Sequence, residues 1–265
     1  MIHPAAFVHP GAKIAPDAEI GPFAVVEDGA EIGAGCRIGA HAVIHGAARL
    51  GRNVVVDCHA TIGGLPQDIH FDPSTVSFAE IGEGATIREC ATVHRATTPG
   101  ASTKVGARCL LMATAHVGHD CVVEGGAILA NNVMLAGFVT IGAGTFVGGG
   151  AGIHQHLRIG ERAMIGGLSR VTMDLPPFCI MAERDHLSGL NLVGLRRAGF
   201  SREDIAEVKR LFHAVFDGGA NPREAALAIP DTDITRDCGR RFVDFLRAKS
   251  HKGVMRTDGA SVSGD

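Results

Sequence analysis

The sequence predicts an all-β fold, a parallel β-helix of hexapeptide repeats, with a C-terminal α-helical extension. Three observations predict it. First, an aliphatic residue recurs every sixth position from Ile2 through Val8, Ile14, Ile20, Val26, Ile32, Ile38, Ile44, Leu50 and Val56 to Ile62. The series resumes one residue out of phase at Ile81, Ile87 and Val93, passes through Pro99, and then runs from Val105 to Val171. A period of six is neither the helical period of about 3.6 nor the strand period of about 2, and a fixed period over many repeats marks a solenoid. Second, the residue four beyond the aliphatic is small or apolar, as at Ala24, Cys36, Ala42, Cys121, Ala127, Thr145, Ala151, Ala163 and Ser169. With Trp 0 and Tyr 0 in the whole chain, this describes a cramped interior. Third, Gly or Ala usually follows the aliphatic, as in Ile20-Gly21, Ile32-Gly33, Ile38-Gly39, Val117-Gly118, Ile141-Gly142 and Ile159-Gly160. Glycine there is expected to turn corners with positive φ. Three short strands and three corners make an eighteen-residue coil, stacked on the next at about 4.8 Å.

The coils are expected over residues 1–190, interrupted at 63–80 and 94–104. Insertions in a solenoid become loops on one face, so both are expected to reach toward a ligand or a neighbouring subunit. Asp174-Leu175-Pro176-Pro177 reads as a turn that ends the coil. The period then becomes helical over residues 191–250. Ser201-Arg202-Glu203-Asp204 is a capping box, and Ile205, Val208, Leu211, Phe212 and Val215 line one face behind it. Gly218-Gly219 ends that helix, Asn221-Pro222 starts a second, and a third is expected from about Asp233 to Lys249. These helices would cap the open end of the solenoid. Residues 251–265 are expected to be disordered.

Composition narrows the function. A net charge of −3 over 265 residues argues against a nucleic-acid partner. No basic segment leads into an apolar run at the N-terminus, and no stretch is apolar enough to span a membrane. The 7 Cys form no CxxC pair, and Cys36, Cys109 and Cys121 occupy the small-residue position, as core thiols in a reducing compartment would. The cytoplasm is the expected location.

Chemistry is expected at the histidines. His116 and His119 share one turn, and His154 and His156 flank Gln155 further along. His119 and His154 lie beside the core position, near corners, where imidazoles on a rigid scaffold can deprotonate a hydroxyl or an amine. His3, His9, His41, His45, His213 and His251 read as scattered surface residues. Asp120 could orient the adjacent His119, but neighbouring residues seldom point the same way, so this is the lesser of the two readings. Gly148 to Gly152 read as coil corners, not as a phosphate loop. A three-histidine zinc site on such a scaffold is an alternative that no spacing requires. No metal and no cofactor are expected.

The hexapeptide runs are followed by Ala115-His116-Val117-Gly118-His119-Asp120-Cys121, Leu129-Ala130-Asn131-Asn132, Leu135-Ala136-Gly137, Ile153-His154-Gln155, Asp174-Leu175-Pro176-Pro177 and the segment Gly194 to Glu203. In this order and spacing they resemble the UDP-N-acetylglucosamine O-acyltransferases of lipid A synthesis, from the N-terminus to about residue 250. The resemblance implies a left-handed β-helix, a homotrimer with sites between subunits, and acyl carrier protein as donor of a 3-hydroxyacyl thioester. It implies His119 as the base for the sugar 3-hydroxyl and the backbone N–H of Gly137 as the oxyanion donor. It implies that His116, His154 and Gln155 line the site, that Asp68 contacts the sugar from its loop, and that Asn191 and Arg197 contact the nucleotide. Gly167 matches the position that limits acyl depth, where glycine leaves room for a longer chain.

Four positions depart from the family pattern. Phe138 stands where a His usually follows Leu-Ala-Gly, and His70 replaces a basic residue two beyond Gln67-Asp68. Val193 replaces an acid, and Ala198 the second of two basic residues. These changes leave the acceptor open between the 3-hydroxyl and a 3-amino analogue.

Overall fold

The computed structural model describes residues 1–257. They form a three-sided prism of parallel strands, two to four residues each, wound as the hexapeptide period requires. Every third strand joins the same sheet. Face 1 runs from Phe7–Val8 to Arg170–Val171, face 2 from Lys13–Ile14 to Arg158–Ile159, and face 3 from Glu19–Ile20 to Met164–Ile165 and on to a terminal hairpin. Val8 pairs with Val26, eighteen residues on, and Val26 pairs with Ile44. The aliphatics therefore stack in columns: Ile44, Ile62, Val93, Val117, Leu135 and Val171 on face 1 are all closed to solvent. Burying each such side chain contributes about 1.5–3 kcal/mol.

The two interruptions keep the register. Ala48 pairs with Ala79, thirty-one residues on, so the first inserts thirteen residues. Thr92 pairs with His116, twenty-four on, so the second inserts six. Thirteen displaces the hexapeptide phase by one and six preserves it, as the aliphatic series shows.

The corners work differently from expectation. The left-handed residue is not the glycine next to the aliphatic but the residue two further on, such as Phe23 (φ 58°), His41 (φ 60°), Asp120 (φ 59°) and Phe138 (φ 62°). The glycines are required by proximity. A Cβ on Gly33 would lie 2.5 Å from the carbonyl oxygen of Gly51, and one on Gly118 would lie 2.7 Å from that of Leu135. The small residue that follows each corner is enclosed, as predicted. Several of its polar members donate to a corner carbonyl of the next coil, as do Cys36 Sγ to Gly51 (3.0 Å), Cys121 Sγ to Ala136 (3.0 Å) and Thr145 Oγ1 to Gly160 (2.8 Å), whereas Ser169 Oγ is buried without a partner among the described residues. Burial pushes the Cys121 thiol up to about 12, so it stays protonated.

Asp174-Leu175-Pro176-Pro177 does not end the solenoid. Leu175 bridges Ile159, and Cys179–Ala182 adds one more parallel strand to face 3. His186–Leu190 turns back antiparallel and covers that edge. Four α-helices follow among the described residues. The first, α1 (Leu192–Arg197), is capped by Asn191, whose Oδ1 accepts from Gly194 N–H at 3.0 Å. Next, α2 (Arg202–Phe216) carries the Ser201–Asp204 capping box and buries Val208, Leu211, Phe212 and Val215. Asn221 caps α3 (Pro222–Ala228), and α4 (Asp237–Arg247) completes the packing. The last helix begins later than expected because the buried Glu207 carboxylate takes the N–H groups of Thr235 (3.0 Å) and Arg236 (2.8 Å). Residues 251–257 are not the disordered tail expected there. Val254 bridges Asp174, and Met255 is fully enclosed. Residues 258–265 of that expected tail lie outside the described residues.

Proximity, not backbone freedom, explains glycines such as Gly33, Gly118 and Gly142 beside the aliphatics, whereas Gly29, Gly35 and Gly126 take the left-handed corner position itself (φ 77°, 68° and 70°), and two variants test the first cause. A Cβ at Gly142 would sit 2.3 Å from the backbone nitrogen of Glu161, whereas one at Gly218 meets nothing within 4 Å. Gly142→Ala is expected to lower unfolding stability by about 1–3 kcal/mol, and Gly218→Ala to stay within about 0.5 kcal/mol of the parent, both read by denaturant titration.

Candidate active site

The turn that carries His119 joins face 1 to face 2. Asp120 takes the left-handed corner position (φ 59°), and this swings its carboxylate onto the side of its neighbour. His119 Nδ1 and Asp120 Oδ2 are 2.8 Å apart, with only 15% and 8% of the two side chains exposed. The expectation that adjacent residues would point apart fails here because the corner is not a strand. Asp120 is itself fixed from the second insertion. Its Oδ2 accepts from Thr97 N–H (3.0 Å) and from Thr97 Oγ1 (2.7 Å), and its own N–H donates to buried Thr103 Oγ1 (2.8 Å). Burial pushes the carboxyl up. The Thr97 and His119 hydrogen bonds outweigh that and hold it below the usual carboxylate range. An ionised carboxylate only accepts, so Nδ1–H is the donor of this pair, and in the neutral ring the lone pair is on Nε2.

Gly137 stands directly against that lone pair. A Cβ there would lie 2.4 Å from His119 Cε1 and 2.7 Å from Nε2, so only glycine admits the ring. Among the described residues, no group accepts the Gly137 N–H. Phe138 lies edge-on to His119, with ring centres 5.3 Å apart.

His116 shares a 2.7 Å hydrogen bond with Thr92 Oγ1, and burial, then His119, push its pKa down. Its ring meets His94 edge-on at 4.9 Å. His94 Nδ1 is buried without a hydrogen-bond partner, and burial, then its histidine neighbours, lower its pKa to about 4. A groove of about 580 Å³ opens beside this group on face 1. Gln67, His116, Met134, Ala136, His154 and Arg170 line it.

The other expected positions divide into three groups. His154 lines the groove, and Gln155, beside it, is exposed. Asp68 and His70 are exposed in the first insertion, where Asp68 Oδ1 accepts from His70 N–H at 2.9 Å and folds the loop on itself; their neighbour Gln67 enters the groove instead. Gly167 lies on the corner between faces 3 and 1, the far border of the grooved face. Asn191 and Arg197 are not brought to His119. Asn191 Nδ2 donates to Arg162 O (2.9 Å) at the corner between faces 2 and 3, the edge that does not border the groove. Its amide serves the α1 cap, and Arg197 is exposed at the end of that helix.

Sequence reasoning missed Thr97 and Thr103. The repeat length was the available signal, since counting one coil back from Asp120 lands inside the 94–104 insertion. It also read His251 as an isolated surface residue, whereas its ring approaches that of His156 at 5.7 Å. Among the described residues, no three His, Cys, Asp or Glu side chains are grouped to hold a metal ion, and no helix is long and apolar enough to cross a membrane.

The cost of burying His94 has a sign that can be measured. Its folded pKa is depressed from 6.5 to about 4, so below pH 6.5 the unfolded chain gains a proton that the folded chain refuses. Stability is expected to fall as pH drops from about 6.5 to about 4, and His94→Gln is expected to flatten that slope in denaturant titrations across the range.

Comparison with known proteins agrees with this layout. Residues 174–255 match the family model described as UDP N-acetylglucosamine O-acyltransferase, domain 2, and residues 11–46 match the bacterial transferase hexapeptide model. The chain is 45% identical over 264 residues to the acyl-(acyl-carrier-protein)–UDP-N-acetylglucosamine O-acyltransferase of Anaeromyxobacter dehalogenans, covering 96% of this chain and 99% of that one. It is 36% identical to the Rhizobium johnstonii protein of the same name, covering 96% and 93%. The solved UDP-N-acetylglucosamine acyltransferase of Francisella novicida superposes with TM-score 0.92 at 31% identity over 100% of both chains. That of Campylobacter jejuni gives 0.89 at 34% identity, covering 97% and 99%. The common fold is the left-handed parallel β-helix. The prism, its ordered insertions and its helical end thus match these relatives over nearly their whole length, and the chain belongs to the UDP-N-acetylglucosamine O-acyltransferase family.

Proposed function

We propose that this chain transfers a 3-hydroxyacyl group from acyl carrier protein to the 3-hydroxyl of UDP-N-acetylglucosamine, the first step of lipid A synthesis. The observation that carries the reading is the His119–Asp120 pair with its Nε2 edge turned to the Gly137 backbone. As the sugar hydroxyl attacks the thioester carbonyl, His119 Nε2 takes the hydroxyl proton. Asp120 supports the imidazolium that forms, and the Gly137 N–H meets the oxyanion. Collapse breaks the carbon–sulfur bond, the carrier thiol leaves with the proton from His119, and the ester remains. Neither step needs a metal or a cofactor. His116, His154 and Gln67 flank the acyl path along the groove, and Gly167 bounds its far side.

The acting unit is a homotrimer in the cytoplasm. Two observations support assembly. Asn191, which the resemblance turns to the nucleotide together with Arg197, bonds at the prism edge away from the groove, which fits a neighbouring copy presenting both. Outward apolar side chains, the neighbours Phe146 (36% exposed) and Met164 (37%) on face 3 and Met134 (53%) on face 1, are also of the kind a second copy would cover.

A product assay tests the reading. Acyl carrier thioesters supplied with UDP-N-acetylglucosamine are expected to give the 3-O-acyl ester by mass spectrometry, from a species of three chain masses. His119→Ala is expected to reduce kcat about 10²–10⁴-fold with the trimer and unfolding midpoint unchanged. Acylation of a 3-amino analogue alone, a monomeric active species, or a fully active His119→Ala would contradict it.

A further inference from the structure

Phe138 takes a hydrogen-bonding side chain away from the corner next to the base, and the next coil offers one back. Phe138 and His156 occupy the same left-handed corner position one coil apart (φ 62° and 64°), so both rings leave the prism along one edge. They stack with centres 4.7 Å apart and planes 15° apart. His156 N–H also donates to the Gly137 carbonyl at 3.1 Å, tying this residue to the backbone beside the base. The result is a continuous column: His119, Phe138, His156 and, from the C-terminal segment, His251 at 5.7 Å.

The packing of this column does not require an imidazole at 156. A phenyl ring would stack on Phe138 equally well. Among the described residues, neither ring nitrogen of His156 has a hydrogen-bond partner, and the residue is half exposed. Burial, then His251, Lys252, His119 and His154, lower its pKa, so at neutral pH the ring offers one donor and one acceptor. That pairing suits a hydroxyl, which also donates and accepts. It does not favour a diphosphate, which wants a cation. Two coil spacings separate this ring from the base, about 10 Å, a distance that a hexose bound with its 3-hydroxyl at His119 spans together with its substituents.

We propose that His156 is the acceptor-recognition residue of this chain, hydrogen-bonding a sugar hydroxyl remote from the reacting one, while Phe138 forms the apolar platform between His156 and the base. The assignment rests on the acyl-transfer reading above. Its test is steady-state kinetics of the full-length protein with UDP-N-acetylglucosamine and an acyl carrier thioester. His156→Phe keeps the ring stack and is expected to raise KM for the nucleotide sugar about fivefold to twentyfold. KM for the acyl donor and the unfolding midpoint should stay unchanged, and kcat should stay within about twofold. The exchange variant Phe138→His with His156→Phe moves the imidazole one coil toward the base and is expected to recover most of the acceptor affinity. An acceptor KM within twofold of the parent in His156→Phe would overturn the proposal, as would an exchange variant no better than the single one. If the parent itself gave no product with UDP-N-acetylglucosamine, the functional reading would fail instead, and the two failures are told apart by that control.

Discussion

Each coil must close in eighteen residues and hydrogen-bond to the coil below, and almost everything else in the molecule follows from that. The spacing leaves no room for a Cβ at Gly33, Gly118 or Gly142. It forces bulky residues such as Phe23 and Phe138 into left-handed corners that cost about 1–2 kcal/mol for an ordinary side chain. It confines the interior to single aliphatic columns backed mostly by Ala, Cys, Thr or Ser, with larger exceptions such as Val54, Val133, Val139 and Leu157. A scaffold this constrained has little freedom to rearrange. The side chains at its edges are therefore held where the backbone sets them, and pre-placed groups are what acyl transfer asks of a protein.

The corner at 118–120 shows how strain becomes useful. In an extended strand Asp120 would face away from His119. In the left-handed corner it comes within 2.8 Å of Nδ1. The second insertion then supplies two donors from Thr97, and these keep the carboxylate ionised despite its burial. This loop, expected to reach toward a ligand or a neighbouring subunit, carries the residue that fixes the orienting acid. Gly137, one coil higher, leaves the space that the imidazole fills.

The fold was legible because it is repetitive. Twenty-odd aliphatics six apart leave few alternatives, and the phase slip of one after Ile62 already marked an insertion, whose length of thirteen the strand pairing supplies. The boundaries of non-repeating parts were less legible. The hairpin at Cys179–Ala182 and His186–Leu190 carries no hexapeptide mark, and α4 starts late because of Glu207, a residue thirty positions upstream. The burial of Met255 depends on a pocket that local composition cannot reveal. At the site, His119, His116 and Gly137 were found because they lie in distinctive motifs. Thr97 and the His156–His251 contact depend on which residues share an edge, and this is visible only once the coils are stacked. Asn191 was legible as a motif residue, but its distance from His119 within one chain was not.

The account reduces to one proton. If Asp120 holds Nδ1–H, then Nε2 of His119 is the free base beside Gly137. Nitrogen-15 NMR of histidine-labelled protein, with the His119 signals assigned by their loss in His119→Ala, reads this directly at neutral pH. The account predicts a protonated Nδ1 and an unprotonated Nε2 at His119. A resting ring protonated on Nε2 alone would contradict it.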